Sequence, residues 1–544
     1  MKKLFNFIFS RYFFSALLIL AEIVVLVLAN IYLTGYSIIF YILATLLDVV
    51  ILLAIINKEM NPEYRVTWLA VVLIFPVVGV IIYLLFSGRS MSARDKRLAE
   101  DILADVDRLV DEPYALNELA RVDRLAAGKA MAILSGDPTA EVYGRTRSEY
   151  YSLGDDMYPA MLDAIGGARH FIFLEYFIFD DGEMWRGLEA ALLRKANEGV
   201  EIRLMYDDVG CLGRLDKTFF ARLVAAGVEV RPFGRVTPRV SSSHNNRDHR
   251  KILVVDGTVG FTGGINITDE YINKDGHLGH WKDGGIRLEG DAVRGLTTLF
   301  LTLWDINRGE KSDYAGYLIP SKEQKGADIA PKASENQPTD SRLSLIEDSA
   351  PLHTMGEGKS DEGFYLTFGS GPKPIYRTEV GKRAFIDVIN QARDYVYITT
   401  PYLIVDYDLT EALIGAAERG VDVRIITPFT ADKRFVKTMT KSAYPHLTRG
   451  GVGIYEYTPG FMHQKLLVSD DRYAIVGTIN FDYRSLVHHF EDAVWMYNTP
   501  AVIAARDDFL SSLELSHRMT EAESRLSFYE WLVKCALRLF APLM

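Results

Sequence analysis

HRKILVVDG at 249–257 and HQKLLVSDD at 463–471 carry the pattern His-x-Lys-x-x-x-x-Asp twice in one chain of 544 residues. Each copy runs from its His into an apolar stretch that reads as a strand entered from a polar end. Alternate residues of a strand share a face. His249 therefore projects with Lys251 and His463 with Lys465, while Ile252, Val254, Leu466 and Val468 fill the opposite face. Asp256 and Asp470 complete the motifs and count with the His and Lys residues as candidate catalytic positions. Falling five residues after each Lys, they have the other parity and lie beside turn residues Gly257 and Asp471. That makes them architectural acids more than proton carriers. The copies also agree downstream: an Asn follows each His by seventeen residues, Asn266 in FTGGINI and Asn480 in IVGTINF, and a further carboxylate follows, Asp283 and Glu491. One such match arises by chance, but two that agree over this length point to one shared site for phosphoryl transfer.

The residue types suit that chemistry. A neutral His can attack phosphorus and form a phosphohistidine, which splits one difficult displacement into two easier ones. A second His, with an ordinary pKa near operating pH, can protonate the leaving alkoxide and later take a proton from the incoming alcohol or water. The two Lys, with Asn266 and Asn480 as substrate-binding candidates, offer charge and N–H donors to the phosphoryl oxygens. Arg247, Arg250 and Lys251 cluster at the first His, as an anionic phosphate would require. No cofactor or metal is expected, because Cys211 and Cys535 are the only cysteines and the His residues lack a zinc-ligand spacing.

An internal repeat underlies the paired motifs. AMLDAIGGARHFIFLEYFIF at 160–179 parallels AFIDVINQARDYVYITTPYL at 384–403, each reading as an amphipathic helix, a turn and an apolar strand. LLRKANEGVEIRLMYDD at 192–208 parallels IGAAERGVDVRIITP at 414–428, a helix closed by Gly and then a strand. Alternating helices and strands predict an α/β fold with a mostly parallel or mixed sheet in each of two similar halves. The length exceeds what one core usually holds. With 60 Lys and Arg against 71 Asp and Glu, the formal charge of −11 speaks against a nucleic-acid partner. Two cysteines give no disulfide framework, which fits a reducing compartment.

The first ninety residues hold three apolar runs, 12–33, 38–56 and 67–86, each near the roughly 20 residues that cross a bilayer. The first is longer than the core of about 7–15 residues in a signal peptide, so retained transmembrane segments are expected. Lys2, Lys3 and Arg11 argue for a cytoplasmic N-terminus, yet Lys58 and Arg65 before the third run nearly cancel Arg89, Arg94, Lys96 and Arg97 after it. Three full spans would put the catalytic part outside. A re-entrant or interfacial first segment would keep it at the cytoplasmic face, which the unpaired cysteines and the basic cluster after Phe86 suit. Glu22 and Asp48 read as acids between packed helices, and Pro76 with Gly79 predicts a kink. The expected division is a membrane anchor at 1–95, a first half at 96–319, a polar linker at 320–362, a second half at 363–517, and an amphipathic helix at 518–544. That last helix would either lie on a bilayer or pack on the core.

The paired motifs with their trailing Asn resemble the phospholipase D superfamily, whose members build one active site from two similar halves. GFTGGINITDEY at 260–271, HWKDGGIRLEG at 280–290, FGSGP at 368–372, GTINFDYRS at 477–485 and the terminal LFAPLM narrow the resemblance to bacterial cardiolipin synthases, along nearly the whole chain. The resemblance implies a membrane-bound enzyme that joins two phosphatidylglycerol molecules into cardiolipin and releases glycerol, with no metal or nucleotide. It also implies that Asp283 and Glu491 orient the two His rings. We assign His249 as the nucleophile and His463 as the acid and base, an assignment that the near symmetry of the motifs allows to be reversed. One departure is the additional apolar segment at the N-terminus, where many relatives have two. Hydrolysis to phosphatidic acid, transfer to another alcohol, and a non-catalytic scaffold are the alternatives. The scaffold would usually show a lost His or Lys, and both motifs are intact.

Overall fold

The structure is a computed structural model that describes residues 37–75, 77–87, 93–109, 114–216, 218–235, 246–318 and 363–540, with positions 20, 24 and 28. Apart from those three positions the apolar run 12–33 lies outside the described residues, as do the polar stretch 320–362 and the terminal APLM. The run 38–56 forms helix α1 (Ser37–Asn57). The run 67–86, expected as one segment kinked near Pro76 and Gly79, divides in that region into α2 (Pro62–Ile74) and α3 (Val78–Phe86), Pro76 itself lying outside the described residues. Asn61 starts α2 by accepting from Glu63 N (2.9 Å), with Pro62 in the first turn. The chain reverses between α2 and α3, where Val77 takes a left-handed φ of 59°. Gly79 allows the close contact that follows, since a Cβ there would lie 2.4 Å from Val71 O. Among the described residues no helix is long and apolar enough to cross a membrane. Ile42, Leu43, Leu46, Val50 and Leu53 on α1, and Val66, Leu73 and Ile74 on α2, nonetheless present apolar side chains outward.

Before the linker come β1 (Glu141–Tyr143), β2 (Thr146–Tyr151), β3 (Phe171–Tyr176), β4 (Glu201–Asp207), β5 (Glu229–Phe233), β6 (Lys251–Val255), β7 (Val259–Gly263), β8 (His280–Lys282) and β9 (Gly285–Gly290). After it come β10 (Phe364–Ser370), β11 (Tyr395–Thr399), β12 (Leu403–Ile404), β13 (Asp422–Pro428), β14 (Gly453–Tyr457), β15 (Gly460–Met462), β16 (Leu466–Ser469), β17 (Tyr473–Gly477), β18 (Phe481–Asp482), β19 (Glu491–Tyr497) and β20 (Ser516–Arg518). One sheet runs β2-β9-β7-β6-β3-β4-β5 and the other β1-β10-β19-β17-β16-β11-β13-β14-β20. Seven strands correspond in order, β2-β9-β7-β6-β3-β4-β5 with β10-β19-β17-β16-β11-β13-β14. In each set three neighbours are parallel and the motif strand is antiparallel to both of its neighbours. The fold is thus α/β with two mixed sheets of one design.

The halves interlock. β1 adds to the second sheet beside β10, and β8 pairs in parallel with β15. Helix α4 (Val293–Arg308) lies between the halves, with Leu296, Phe300, Leu303 and Trp304 buried in a core that both share. Its buried Thr297 and Thr302 return their hydroxyls to carbonyls four residues back, which satisfies them without an outside partner. Helices cover both faces of the sheets, so the expected contrast between a polar and an apolar strand face stops at Lys251. Leu253 and Val255 on the Lys251 face are as buried as Ile252 and Val254.

The motif aspartates close the strands at the end remote from the histidines. Asp256 and Asp470 adopt φ of 52° and 55°, a left-handed conformation that Asp tolerates. Asp256 accepts from the backbone N–H groups of Arg169, His170 and Phe171 (2.7–2.9 Å). Asp470 accepts from Arg393, Asp394 and Tyr395 (2.9–3.0 Å). Each carboxylate ties the motif strand to the start of its neighbour.

Candidate active site

His249 and His463 stand just before the two motif strands, and each is held by the other half. His249 N donates to Phe490 O (2.9 Å), Phe490 N donates to Arg247 O (2.8 Å), and His463 N donates to Lys282 O (2.8 Å). Phe490 and Lys282 immediately precede Glu491 and Asp283, so these backbone links carry each half's acid to the opposite imidazole. His249 Nδ1 donates to Glu491 Oε2 (2.9 Å) and His463 Nδ1 to Asp283 Oδ2 (2.6 Å). A carboxylate only accepts, which sets the proton on Nδ1 and leaves Nε2 of the neutral ring with its lone pair free. The acids are themselves fixed. Thr478 Oγ1 donates to Glu491 Oε2 (2.5 Å) and Gly284 N to Asp283 Oδ1 (2.9 Å). At the position equivalent to Thr478 stands Gly264, where a Cβ would fall 2.1 Å from Asp283 Oδ1.

The lysines close the site electrostatically. Lys251 Nζ donates to His249 O (2.6 Å), and Lys465 Nζ donates to His463 O while lying 2.8 Å from His463 Nδ1. Burial brings Lys251 down to about 8 and Lys465 down to about 7. Burial, with the two lysines, holds both His249 and His463 well below the usual imidazole range. Burial also pushes Asp283 up to about 6, against the pull of Lys465 and Lys251. Two imidazoles and two ammonium groups thus share a dry site whose cationic forms are disfavoured, and an arriving phosphodiester anion supplies the charge they lack.

The two asparagines differ. Asn266 Oδ1 accepts from Ile178 N (3.1 Å) and its Nδ2 donates to Tyr271 OH (2.7 Å), leaving one amide hydrogen for a ligand. Asn480 is buried, and its Oδ1 has no hydrogen-bond partner among the described residues. The expectation that Arg247 and Arg250 serve phosphate is corrected. Both guanidinium groups are buried and paired, Arg247 with Asp207 (2.8–3.1 Å) and Arg250 with Glu175 (2.5–2.9 Å) and Leu299 O (2.8 Å). Their positive charge is spent in building the framework behind His249.

Several neighbours were not singled out in the sequence. Phe177 packs its ring 5.0 Å from His249, and Trp281 and Tyr271 each pack 5.4 Å from His463. Tyr271 lies in the GINITDEY string, but nothing in its spacing marks it as a neighbour of His463. Asp492 bridges the halves by accepting from Thr262 Oγ1 (2.6 Å). His489, 7% exposed, packs 5.5 Å from the His249 ring. Among the described residues His249, His489 and Glu491 are the one grouping able to hold a metal ion. An ion there would compete with the His249–Glu491 hydrogen bond.

Comparison with known proteins places this geometry. The profile of the family described as "Cardiolipin synthase, PLD-like domain" matches residues 161–282 and 385–513, and that described as "Phospholipase_D-nuclease N-terminal" matches 46–88. A cardiolipin synthase of Halalkalibacterium halodurans is 33% identical over 514 residues, which cover 93% of this chain and 94% of the relative. An uncharacterized protein of Streptococcus mutans serotype c is 36% identical over 498 residues, 90% of this chain and 99% of the relative. The crystal structure of phosphatidylserine synthase from Haemophilus influenzae aligns with a TM-score of 0.51 at 12% identity, over 77% of this chain and 98% of that one, and shares the fold.

Proposed function

This chain belongs to the cardiolipin synthase family of phospholipase D-like proteins, and from that premise we propose that it joins two phosphatidylglycerol molecules into cardiolipin and releases glycerol. The observation that carries the mechanism is the crossed pair of carboxylate–imidazole hydrogen bonds, which leaves two Nε2 atoms free at one site. In the first step His249 Nε2 attacks phosphorus as the P–O bond to the glycerol head group breaks. His463, which takes up a proton on Nε2 from solvent as the lipid anion offsets the charge of the lysines, gives that proton to the departing oxygen, and a phosphatidyl-histidine remains. In the second step the terminal hydroxyl of another phosphatidylglycerol attacks phosphorus, the N–P bond breaks, and His463 takes the hydroxyl proton. Glu491 and Asp283 stabilise whichever ring is charged, and Lys251 and Lys465, held in their ammonium form by the negative charge of the bound phosphodiester with protons taken from solvent, neutralise the phosphoryl oxygens. Asn266 and Asn480 offer N–H donors to the same oxygens. The two imidazoles occupy matching settings, so the assignment of His249 as nucleophile is a choice between near equals that labelling decides.

The same reading places the chain on a membrane, with the apolar faces of α1, α2 and α3 in lipid and the catalytic halves at the cytoplasmic face. The deciding experiment supplies the purified protein with phosphatidylglycerol alone, without metal or nucleotide, and identifies products by mass spectrometry beside His249→Ala and His463→Ala. Cardiolipin and glycerol, absent in both variants, support the proposal. Phosphatidic acid without cardiolipin makes the protein a hydrolase. Labelled lipid trapped on His463 in His249→Ala would reverse the roles of the two rings.

A further inference from the structure

The segments that follow the second parallel strand of each half lie at the carboxyl ends of β4 and β13, where ligands of open α/β sheets bind. The segment at 208–216 is seated directly on the first histidine's neighbour: a Cβ on Gly210 would lie 2.2 Å from Phe177 O and 2.9 Å from the Phe177 ring, and that ring packs 5.0 Å from His249. The segment at 429–435 is seated on the other side. Asp432 accepts from Tyr402 OH (2.7 Å), and Lys433 is near enough for its charge to bear on His463. Both segments carry apolar side chains into solvent: Val209 is 40% and Leu212 54% exposed in the first, Phe429 55% and Phe435 44% in the second. Cations stand among them, Arg214 in the first segment and Lys433 and Arg434 in the second, all exposed.

This pattern continues beyond the site. Phe435 opens helix α5 (Arg434–Arg449), and α6 (Phe528–Phe540) packs on α5 and on α2, with Lys534 Nζ reaching Ser442 O (3.5 Å). α6 leaves Phe528, Trp531 and Leu532 outward beside Arg538. α2 in turn exposes Val66, Leu73 and Ile74. An apolar surface interleaved with basic residues therefore runs from the mouth of the site through α5 and α6 to the N-terminal helices. The basic character is concentrated on the second segment and α5, with Lys433, Arg434, Lys441 and Arg449 against Asp432, whereas the first segment holds Asp208 and Asp216 beside Arg214, which pairs with Asp180 (2.5 Å). The first segment therefore meets a bilayer through Val209 and Leu212, and the second and α6 add the Lys and Arg with exposed Phe and Trp that mark an interfacial binder.

We propose that residues 208–216 and 429–435 form two lips that dip into the head-group layer of an anionic bilayer and admit a lipid from the membrane plane to His249 and His463. The proposal deepens the reading of phosphatidylglycerol as substrate and rests on it. An environment-sensitive label is placed at Leu212→Cys or Phe435→Cys in the full chain carrying Cys535→Ser, reconstituted in phosphatidylglycerol–phosphatidylcholine vesicles that contain brominated lipid. A third label at His170→Cys, at the Asp256 end of the strands, serves as reference. The lips require a blue shift and quenching at 212 and 435 well above that at 170. In parallel, the Leu212→Asp, Phe435→Asp double variant should lose at least about tenfold more turnover on long-chain phosphatidylglycerol in vesicles than on monomeric dihexanoyl-phosphatidylglycerol, since losing about 1.4 kcal/mol of interfacial affinity is a factor of ten. Equal quenching at all three positions, shielding of the labels without lipid as in a second copy of the chain, or an equal loss on both substrates overturns the proposal. Absence of turnover on either substrate by the parent protein refutes the reading of the substrate instead, and the quenching still decides the lips.

Discussion

Replacing Asp283 by Asn should silence His463, a residue of the other half, while the corresponding change at Asp256 within the first motif should leave chemistry intact. Asp283 is fully buried, with Oδ2 2.6 Å from His463 Nδ1 and Oδ1 accepting from Gly284 N at 2.9 Å. An Asn side chain has one acceptor. If it keeps Gly284 N, its NH2 faces His463 Nδ1, and the ring must put its proton on Nε2, the atom that has to reach the reacting oxygen. Loss of a hydrogen bond to a charged group is worth about 1.5–3 kcal/mol, and stabilisation of the imidazolium goes with it. The analogous change in a serine protease triad costs about 10^4 in kcat. Asp283→Asn should therefore lower kcat by roughly 10^3–10^4 with a small change in KM. At Asp256 the partners are three backbone N–H groups, so Asp256→Asn should cost about 1–3 kcal/mol of stability and little kcat in the folded protein. The assay is conversion of phosphatidylglycerol to cardiolipin in mixed micelles, with thermal unfolding measured on the same samples. Retention of more than about a tenth of kcat in Asp283→Asn, or an equal kcat loss in Asp256→Asn without a fall in Tm, would refute the crossed-acid reasoning.

With Lys465 brought down to about 7 and Lys251 to about 8, the free protein loses these cations as pH rises through that range. kcat/KM, which reports the free enzyme, should therefore fall above about pH 8 with a slope approaching two, while kcat, measured with the anion bound, stays flatter; a kcat/KM level to pH 10 would contradict this. Arg250→Met or Glu175→Met alone should lower stability by about 3–5 kcal/mol by stranding a buried charge, whereas the double replacement should recover most of it. Thermal unfolding checks the stability, and an unchanged KM in the double variant checks that Arg250 does not bind lipid phosphate. Glu491→Gln should repeat the Asp283→Asn phenotype on His249, read as loss of phosphatidyl-enzyme formation in a rapid-quench experiment with labelled lipid.

The sequence by itself determined the duplication, the α/β alternation and the identity of the motif residues, because these depend on local periodicity. A period of two places His with Lys on one strand face, a Gly after a helix ends it, and the same spacing written twice implies two copies of one unit. Parity set Asp256 and Asp470 apart from the His and Lys of their motifs but left them among the candidate catalytic positions; their bonds to the backbone of the neighbouring strand came from the structure. Partners were beyond its reach. Arg247 and Arg250 sit beside His249 in the chain and read as phosphate ligands, yet their guanidinium groups turn to Asp207 and Glu175, which lie 40 and 75 residues away in sequence. In the run 67–86 Pro76 and Gly79 marked a break, but that the break is a reversal shows only in the positive φ of Val77 and the contact of Gly79 with Val71. Which acid serves which histidine was decided by tertiary structure alone. The bonds that cross between halves span 242 residues for His249 and 180 for His463. They form because Phe490 and Lys282 make backbone hydrogen bonds to the opposite half, an interaction between two folded units that no local pattern of residues encodes.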